Sequence, residues 1–237
     1  MDNSIKSVNR AIDILYSLAE SDKCLMEISR DVKLSKSTVH RQLGTLLNRN
    51  MVFRNPANDK YSLGPGFFKF LYRFIQSPTA LMVAAQDSLN ALNKLSGETV
   101  VLHTQIGDQR LCVTEVESKH ELKYTSGIGS TAPMNAGAAS KVFLSCMEEE
   151  DRRNFISQMK LESITENTIS DPVELLKEVE KVAKDGYSIS YGERIAGAAS
   201  ISVPIKNKDG RAIAVLSILG PGFVWMKINL DLLFLIY

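Results

Sequence analysis

The hydrophobic rhythm of the chain changes at Ser96-Gly97, and that change divides it into two kinds of structure. Upstream, apolar residues recur at helical spacing. In SVNRAIDILYSLAE (7–20) they are Val8, Ala11, Ile12, Leu15, Leu18 and Ala19, the pattern of an amphipathic helix, with Ser7 as its expected N-cap. LMEISRDV (25–32) predicts a second short helix with Leu25, Ile28 and Val32 on one face, followed by a tight connection at Lys33-Leu34. SKSTVHRQLGTLL (35–47) predicts a third, capped by Ser35, with the stripe Val39, Leu43, Leu46 and Leu47. MVFR (51–54) and YSLG (61–64) flank the turn-rich NPANDK and predict a small hairpin. Helical spacing resumes over Phe67–Gln76, is broken at Pro78, and continues over Ala80–Leu95 until Ser96-Gly97 stops it.

Downstream the texture is that of strands. TVVLHTQI and QRLCVTEVE surround Gly107-Asp108, a two-residue turn signal. A tight turn there pairs Leu102 with Val113 and Thr104 with Leu111 on one face, and His103 with Cys112 and Gln105 with Arg110 on the other. LKYTS (122–126) is expected as a third strand, GIGSTAPM (127–134) as a glycine-bearing loop, and Ala136–Met147 as a helix capped by Asn135. Asp171, Pro172 and Glu174 form a capping-box signature for a long helix that Gly186 ends. YSISY (187–191), SISVPI (200–205) and, after the NKDG turn, RAIAVLSIL (211–219) are the last strands. The whole is therefore α+β, with a mainly antiparallel sheet in the second half.

Charge follows the same division. Residues 1–76 hold 12 Lys+Arg against 7 Asp+Glu, a net of +5, while residues 77–237 hold 16 against 20, a net of −4. A basic head on an acidic body points to a polyanion partner for the head alone. Opposite its leucine stripe, segment 35–47 presents Ser35, Lys36, Ser37, Thr38, His40, Arg41 and Thr45, and the hairpin adds Lys60. A capped helix start with short hydroxyls suits phosphate oxygens, and arginine bonds a guanine edge bidentately. Any single helix has a solvated face, but three short helices, a polar hairpin and positive charge on that side favour double-stranded DNA.

No apolar leader is read at the N-terminus. The most apolar stretch, Ile228–Tyr237, is interrupted by Asp231 and falls far short of the ~20 residues of a membrane span. Three widely spaced cysteines, Cys24, Cys112 and Cys146, fit a reducing cytoplasm. His103, Cys112 and Cys146 lack the spacing of a metal site, so no metal or cofactor is expected. No G-x-S-x-G, P-loop or G-x-G-x-x-G is present, so no enzyme is expected. FFKFLYRFI (67–75) reads as a helix packed on a partner subunit rather than on a membrane.

The blocks SVNRAIDILYSLAE, LMEISRDVKLSKSTVHRQLGTLL, YSLG, APMNAGAASKVFL, GYSISYGERIAGAASISVPI and LSILGP, in this order, resemble the IclR family of bacterial transcriptional regulators along nearly the whole chain. The resemblance implies an N-terminal winged helix-turn-helix (1–66), a helical linker (67–96) and a GAF-like effector-binding domain (97–237). It implies a homodimer or homotetramer on operator DNA that responds to a small-molecule effector. The family's recognition helix falls on Ser35–Leu47, and its effector pocket on Gly127–Ala136, Ser200–Ser202 and Ser217. Ser200 stands where many members carry cysteine, and Leu219 where many carry a second serine. The family also continues further beyond Gly220-Pro221-Gly222 than this sequence does, so either a shortened chain or an incomplete covering helix is expected.

Alternation along the SISVPI strand puts Ser200 and Ser202 on one face, and Leu219 shares the face of Ser217. A pocket with hydroxyls beside an apolar wall follows, closed by Gly129, Met134, Asn135 and Ala136, with Glu193 either contacting ligand or solvating a turn. Such a pocket suits an organic acid with an apolar body. The competing expectation is a winged-helix interaction module whose GAF-like domain is empty.

Overall fold

The computed structural model describes residues 5–75 and 81–225. The chain divides into two compact units, Met1–Ala80 and Leu81–Tyr237. The expected linker is thereby split, with its first helix in one unit and its second in the other. Gln76, Pro78 and the stretch 228–237 lie outside the described residues.

The first unit runs α1 (Lys6–Glu20), α2 (Leu25–Asp31), α3 (Lys36–Asn48), β1 (Val52–Arg54), β2 (Tyr61–Leu63) and α4 (Gly66–Ile75). Its core is Ile14, Leu18, Ile28, Val39, Leu43, Leu46, Val52 and Tyr61, and each fully buried aliphatic side chain among them contributes about 1.5–3 kcal/mol. Two expectations for α1 are corrected. The helix starts two residues earlier, with Ile5 at the N-cap and no side-chain hydrogen bond there, so Ser7 lies inside the first turn. Val8 and Ile12 do not enter the core but stay exposed in line with Tyr16, because Ile14, Ser17 and Leu18 form the inward face. β1 and β2 pair antiparallel, Val52 with Leu63 and Arg54 with Tyr61. Lys23 bridges to Tyr61 from the other side, its N–H donating to the Tyr61 carbonyl and its carbonyl accepting the Tyr61 N–H.

The second unit begins with α5 (Leu81–Ser96) and holds β3 (Thr99–Ile106), β4 (Gln109–Val116), β5 (Thr131–Pro133), α6 (Ala138–Ser145), α7 (Glu149–Gln158), α8 (Pro172–Asp185), β6 (Ser188–Tyr191), β7 (Ala198–Lys206), β8 (Ala212–Pro221) and α9 (Gly222–Trp225). Six strands form one antiparallel sheet in the order β5-β4-β3-β8-β7-β6. Period-two alternation sends Val100, Leu102, Ile201 and Ile218 to the face covered by Leu89 and Leu92 of α5. The other face takes Val215 against Val142 and Phe143 of α6 and Leu175 and Val179 of α8. Helix α8 is capped at both ends as its sequence foretells: Asp171 Oδ1 accepts the Glu174 N–H at 2.8 Å, and Gly186 adopts φ 81°.

Local readings in this unit needed correction in four places. The Gln105–Arg110, Thr104–Leu111 and His103–Cys112 pairs form as counted, but a β-bulge then moves Leu102 opposite Thr114 instead of Val113. LKYTS is not a strand. Its backbone is held by a side chain instead of a ladder, with Ser126 and Gly127 N–H donating to the Glu115 carboxylate, and β4 pairs with β5. Helix α6 begins at Ala138 with Gly137 at its N-cap, while the Asn135 amide donates to the Glu162 and Ile169 carbonyls. Helix α7, whose apolar positions are sparse, is an element the hydrophobic pattern did not announce.

Candidate nucleic-acid interface and effector cavity

Helix α3 is fastened by its leucine stripe and by its cap. Val39, Leu43 and Leu46 are buried. The Ser35 Oγ accepts the Thr38 N–H at 3.3 Å and contacts the hydroxyls of Thr38 and Ser37 at 2.9 and 3.1 Å. The turn before it closes with Lys33 at φ 51° and with the Leu34 N–H on the Ser29 carbonyl. The outer face thus presents Ser35, Lys36, Ser37, His40, Arg41 and Thr45 to solvent, with Thr38 half-buried. Thr45 turns its hydroxyl back to the Arg41 carbonyl. Lys60 lies half-buried in the turn of the hairpin, just before β2, and the same turn is braced by the Arg54–Asp59 ion pair at 3.0 Å. A capped helix with one bare cationic face, next to a short hairpin, has the shape and charge to enter a major groove.

In the second unit, a cavity of about 40 Å³ lies between the sheet, the start of α6 and the loop joining β6 to β7. It has room for about three waters. The sheet contributes Val101, His103, Arg110, Ser200, Ser202, Ser217 and Leu219, the helix start Gly137–Ala139, and the loop Glu193, Arg194 and Ile195. Ser202 and Ser217 are cross-strand partners, and their hydroxyls share a hydrogen bond at 2.8 Å. Glu193 is engaged within the protein. One carboxylate oxygen accepts from Lys141 Nζ at 2.6 Å and the other from the Gly137 N–H at 2.9 Å. That ion pair is buried, and it fixes the start of α6, where Gly137 holds φ 90°, a value that favours glycine.

The arginines set the electrostatics. Arg110 is 5% exposed, and its guanidinium donates to Ser140 Oγ at 3.0 Å, His103 Nε2 at 2.9 Å and the Ala136 carbonyl at 3.4 Å. Arg194 donates to Ser126 Oγ at 3.1 Å, and that hydroxyl lies 3.2 Å from His103 Nε2. Among the described residues, no carboxylate is within ion-pairing distance of either guanidinium. Burial, and then the charge of Arg194, pushes the Arg110 pKa down to about 9. Burial and the same two cations hold His103 well below its ordinary value, so it is neutral. Arginine can only donate, so Nε2 is the acceptor and the proton sits on Nδ1, which has no partner.

The structure therefore gathers Glu193, Ser200, Ser202, Ser217 and Leu219 around one cavity, but not the other four expected residues. Gly129 is exposed, Met134 lies in the apolar core, Asn135 holds the 162–169 segment, and Ala136 offers its carbonyl to Arg110. The cavity wall comes from one turn later, at Gly137–Ala139. His103, Arg110, Ser126 and Arg194 were not foreseen as site residues. The one hint was Arg110 itself, a charge at an alternate position of a strand. His103 and Cys112 are adjacent, but no three His, Cys, Asp or Glu side chains gather to hold a metal among the described residues. Burial also pushes the Cys112 thiol up to about 11. Among the described residues, no helix is long and apolar enough to cross a membrane.

Comparison with known proteins agrees with this division. Residues 7–56 match the IclR helix-turn-helix domain and residues 75–230 match the bacterial transcriptional regulator IclR C-terminal domain. The HTH-type transcriptional regulator KdgR of Dickeya chrysanthemi is 30% identical over 220 residues, 92% of this chain and 72% of its own length. BhcR of Paracoccus denitrificans, also an HTH-type transcriptional regulator, is 29% identical over 218 residues, 92% of this chain and 78% of its own. In fold, the chain is similar to a transcriptional regulator of Alicyclobacillus acidocaldarius, with a TM-score of 0.83 at 24% identity over 98% of this chain and 93% of that one. It is also similar to an IclR homologue of Microbacterium hydrocarbonoxydans complexed with 4-hydroxybenzoate, with a TM-score of 0.81 at 19% identity over 97% and 93%. A capped helix with an exposed polar face in one unit, a cavity in the other, and both family domains matched in order mean that this chain belongs to the IclR family of DNA-binding transcriptional regulators, a family of regulators and not of enzymes.

Proposed function

We propose that the protein reads operator DNA with the exposed face of α3 and that a small organic anion in the cavity modulates that binding. On the DNA side, Arg41 contacts a base edge, Lys36 and the Ser35 cap contact phosphate, and His40 and Thr45 flank them. The arrangement of those side chains opposite a buried stripe supports this reading. On the effector side, the carrying observation is Arg110, a buried guanidinium facing the cavity with neutral acceptors only. An uncompensated buried charge costs several kcal/mol, and a carboxylate in the cavity offsets that cost. The apolar part of such an acid meets Val101, Ala199 and Leu219. The 4-hydroxybenzoate bound by the Microbacterium homologue is an organic acid with an apolar body, which supports the class without naming the ligand.

The regulator works as a homodimer or homotetramer. Val8, Ile12 and Tyr16 of α1 and Phe68, Phe70, Leu71 and Tyr72 of α4 are large apolar side chains left exposed in the first unit, more than an isolated winged helix needs. A thermal-shift screen of organic acids on the full chain tests the effector reading. An acid at 100 times its dissociation constant adds about 2.7 kcal/mol of stability. No acid shifting the melting of the protein, at any concentration up to tens of millimolar, refutes it.

A further inference from the structure

We infer that Gly44 is where α3 meets the sugar–phosphate backbone on the far wall of the major groove, at a closeness that any side chain would prevent. This rests on the reading of α3 as the DNA-contacting helix. Gly44 is a glycine that the protein does not need for its own fold. Inside a helix, glycine is destabilising relative to alanine. Of the fourteen glycines, nine hold a positive φ. Gly64, Gly66, Gly220 and Gly222 each have a neighbouring atom within 3.2 Å of where a Cβ would stand. Gly44 has neither reason. It lies in the interior of α3 and its φ is not positive. Apart from the backbone of α3 itself, no atom among the described residues lies within 4 Å of where its Cβ would stand.

Its place on the helix says what comes near. At about 3.6 residues per turn, Gly44 falls between His40 and Arg41 around the axis, away from the buried Val39, Leu43 and Leu46. His40, Arg41 and Asn48, one turn before and one turn after it, are exposed. They flank a notch whose floor is bare backbone. Along the axis, Gly44 lies eight residues beyond Lys36, about 12 Å at the α-helical rise. The major groove is about 12 Å wide. With Ser35 and Lys36 at the phosphates of one wall, Arg41 reaches the base edges between, and Gly44 arrives at the opposite wall. Helix α3 carries Lys36, His40 and Arg41 and no Asp or Glu, so no charge on it repels a phosphate strand lying against the notch. A side chain at position 44 would hold that strand off and lift Arg41 from the bases.

The test is a size series at position 44 in the full chain. Gly44→Ala and Gly44→Leu are measured by gel shift on a duplex selected from a random-sequence pool by the unmodified protein, and on an unselected duplex of the same length. Gly44→Ala is expected to raise the denaturant midpoint of the first unit, because alanine is the better helix former. It is nevertheless expected to weaken binding at least about tenfold, as when a methyl group is forced into a packed contact. Gly44→Leu is expected to weaken it further. Both losses are expected on both duplexes, since contacts to the sugar–phosphate backbone carry no sequence information. A loss confined to the selected duplex would put a base edge at Gly44 and overturn the backbone contact. Full affinity in Gly44→Ala overturns the close approach, whatever Gly44→Leu does. A lowered midpoint in Gly44→Ala shows that the fold itself needs the glycine, and overturns it too. Arg41→Ala, run alongside, separates the proposal from the reading beneath it. If Arg41→Ala weakens binding and the Gly44 variants do not, only the contact at Gly44 fails; if none of the three weakens binding, α3 is not the DNA-contacting helix.

Discussion

Replacing Arg110 with methionine should make the ligand-free protein more stable while removing its response to anions. The guanidinium is buried beside a second cation, and its pKa of about 9 lies three or more units below the ordinary value. At about 1.4 kcal/mol per unit, this sets a ceiling of about 5 kcal/mol on what the charge takes from the folded state. The substitution also removes hydrogen bonds to Ser140, His103 and Ala136, each contributing about 1 kcal/mol. None of those acceptors is left without a donor in reach. His103 Nε2 still faces the Ser126 hydroxyl, and the Ser140 hydroxyl donates to the Pro133 or Ala136 carbonyl. The net expectation is a gain of about 1–3 kcal/mol, within the range found when buried charges are replaced by apolar groups. For a unit of this size, it corresponds to a rise in Tm of about 3–8 °C.

Scanning calorimetry in chloride buffer at pH 7.5 measures it. Since burial disfavours the cation, the penalty is complete below pH 9 and is relieved as pH rises through the folded pKa toward the unfolded one. The gap between variant and wild type should therefore narrow above pH 9. A fall of several degrees on substitution would mean that Arg110 is a structural prop, and the case for a cavity awaiting an anion would fail.

Arg41→Ala should weaken operator binding by about 1–3 kcal/mol and relax preference at one base position, whereas Lys36→Ala should weaken all sequences alike and reduce the salt slope by about 1, both read by gel shift across a salt series. Equal losses on operator and random DNA for Arg41→Ala would make it a phosphate contact. Ser35→Ala removes the cap that accepts the Thr38 N–H and should destabilise the first unit by about 1 kcal/mol, measured by denaturant unfolding; an unchanged midpoint would show that Ser37 or Thr38 substitutes for it. Lys141→Met strands the buried Glu193 carboxylate and should cost the second unit about 3–5 kcal/mol, much of it recovered in the double variant Lys141→Met/Glu193→Leu. If the double variant were no more stable than the single one, the pair would be holding the start of α6 by more than its charge.

The two faces of strand β4 explain why part of the cavity was hidden in the sequence. Its apolar residues Leu111 and Val113 alternate with Arg110, Cys112 and Thr114, and alternation alone assigns the polar set to solvent. Arg110, Cys112 and Thr114 are in fact buried, because α6 lies over that face and Ser140 and Ala136 supply acceptors there. By contrast, Ser202 and Ser217 could be placed on one face from strand period alone, and their hydroxyls do meet. The expected closing loop, Gly127–Ala136, was misplaced for a related reason. Which turn of a loop faces a cavity depends on where its helix starts, and Glu193, more than fifty residues along the chain from Gly137 and paired with Lys141, sets that start.

What the sequence determined by itself is local and periodic. The helical stripes of α2 and α3, the Ser35 cap, the paired caps of α8 and the Gly107-Asp108 turn follow from short-range sterics and hydrogen bonding, which act over a few residues and leave a readable pattern. The split of charge between head and body is equally plain in the residues. The bulge between Leu102 and His103, the meeting of the buried Arg110 and the half-buried Arg194 at one small cavity, and the engagement of Glu193 by Lys141 and Gly137 were decided by tertiary structure alone. Each depends on groups distant in the chain being forced together as the sheet is covered on both faces. The free energy of a buried charge is set by those neighbours and by the water they exclude, not by its place in the sequence.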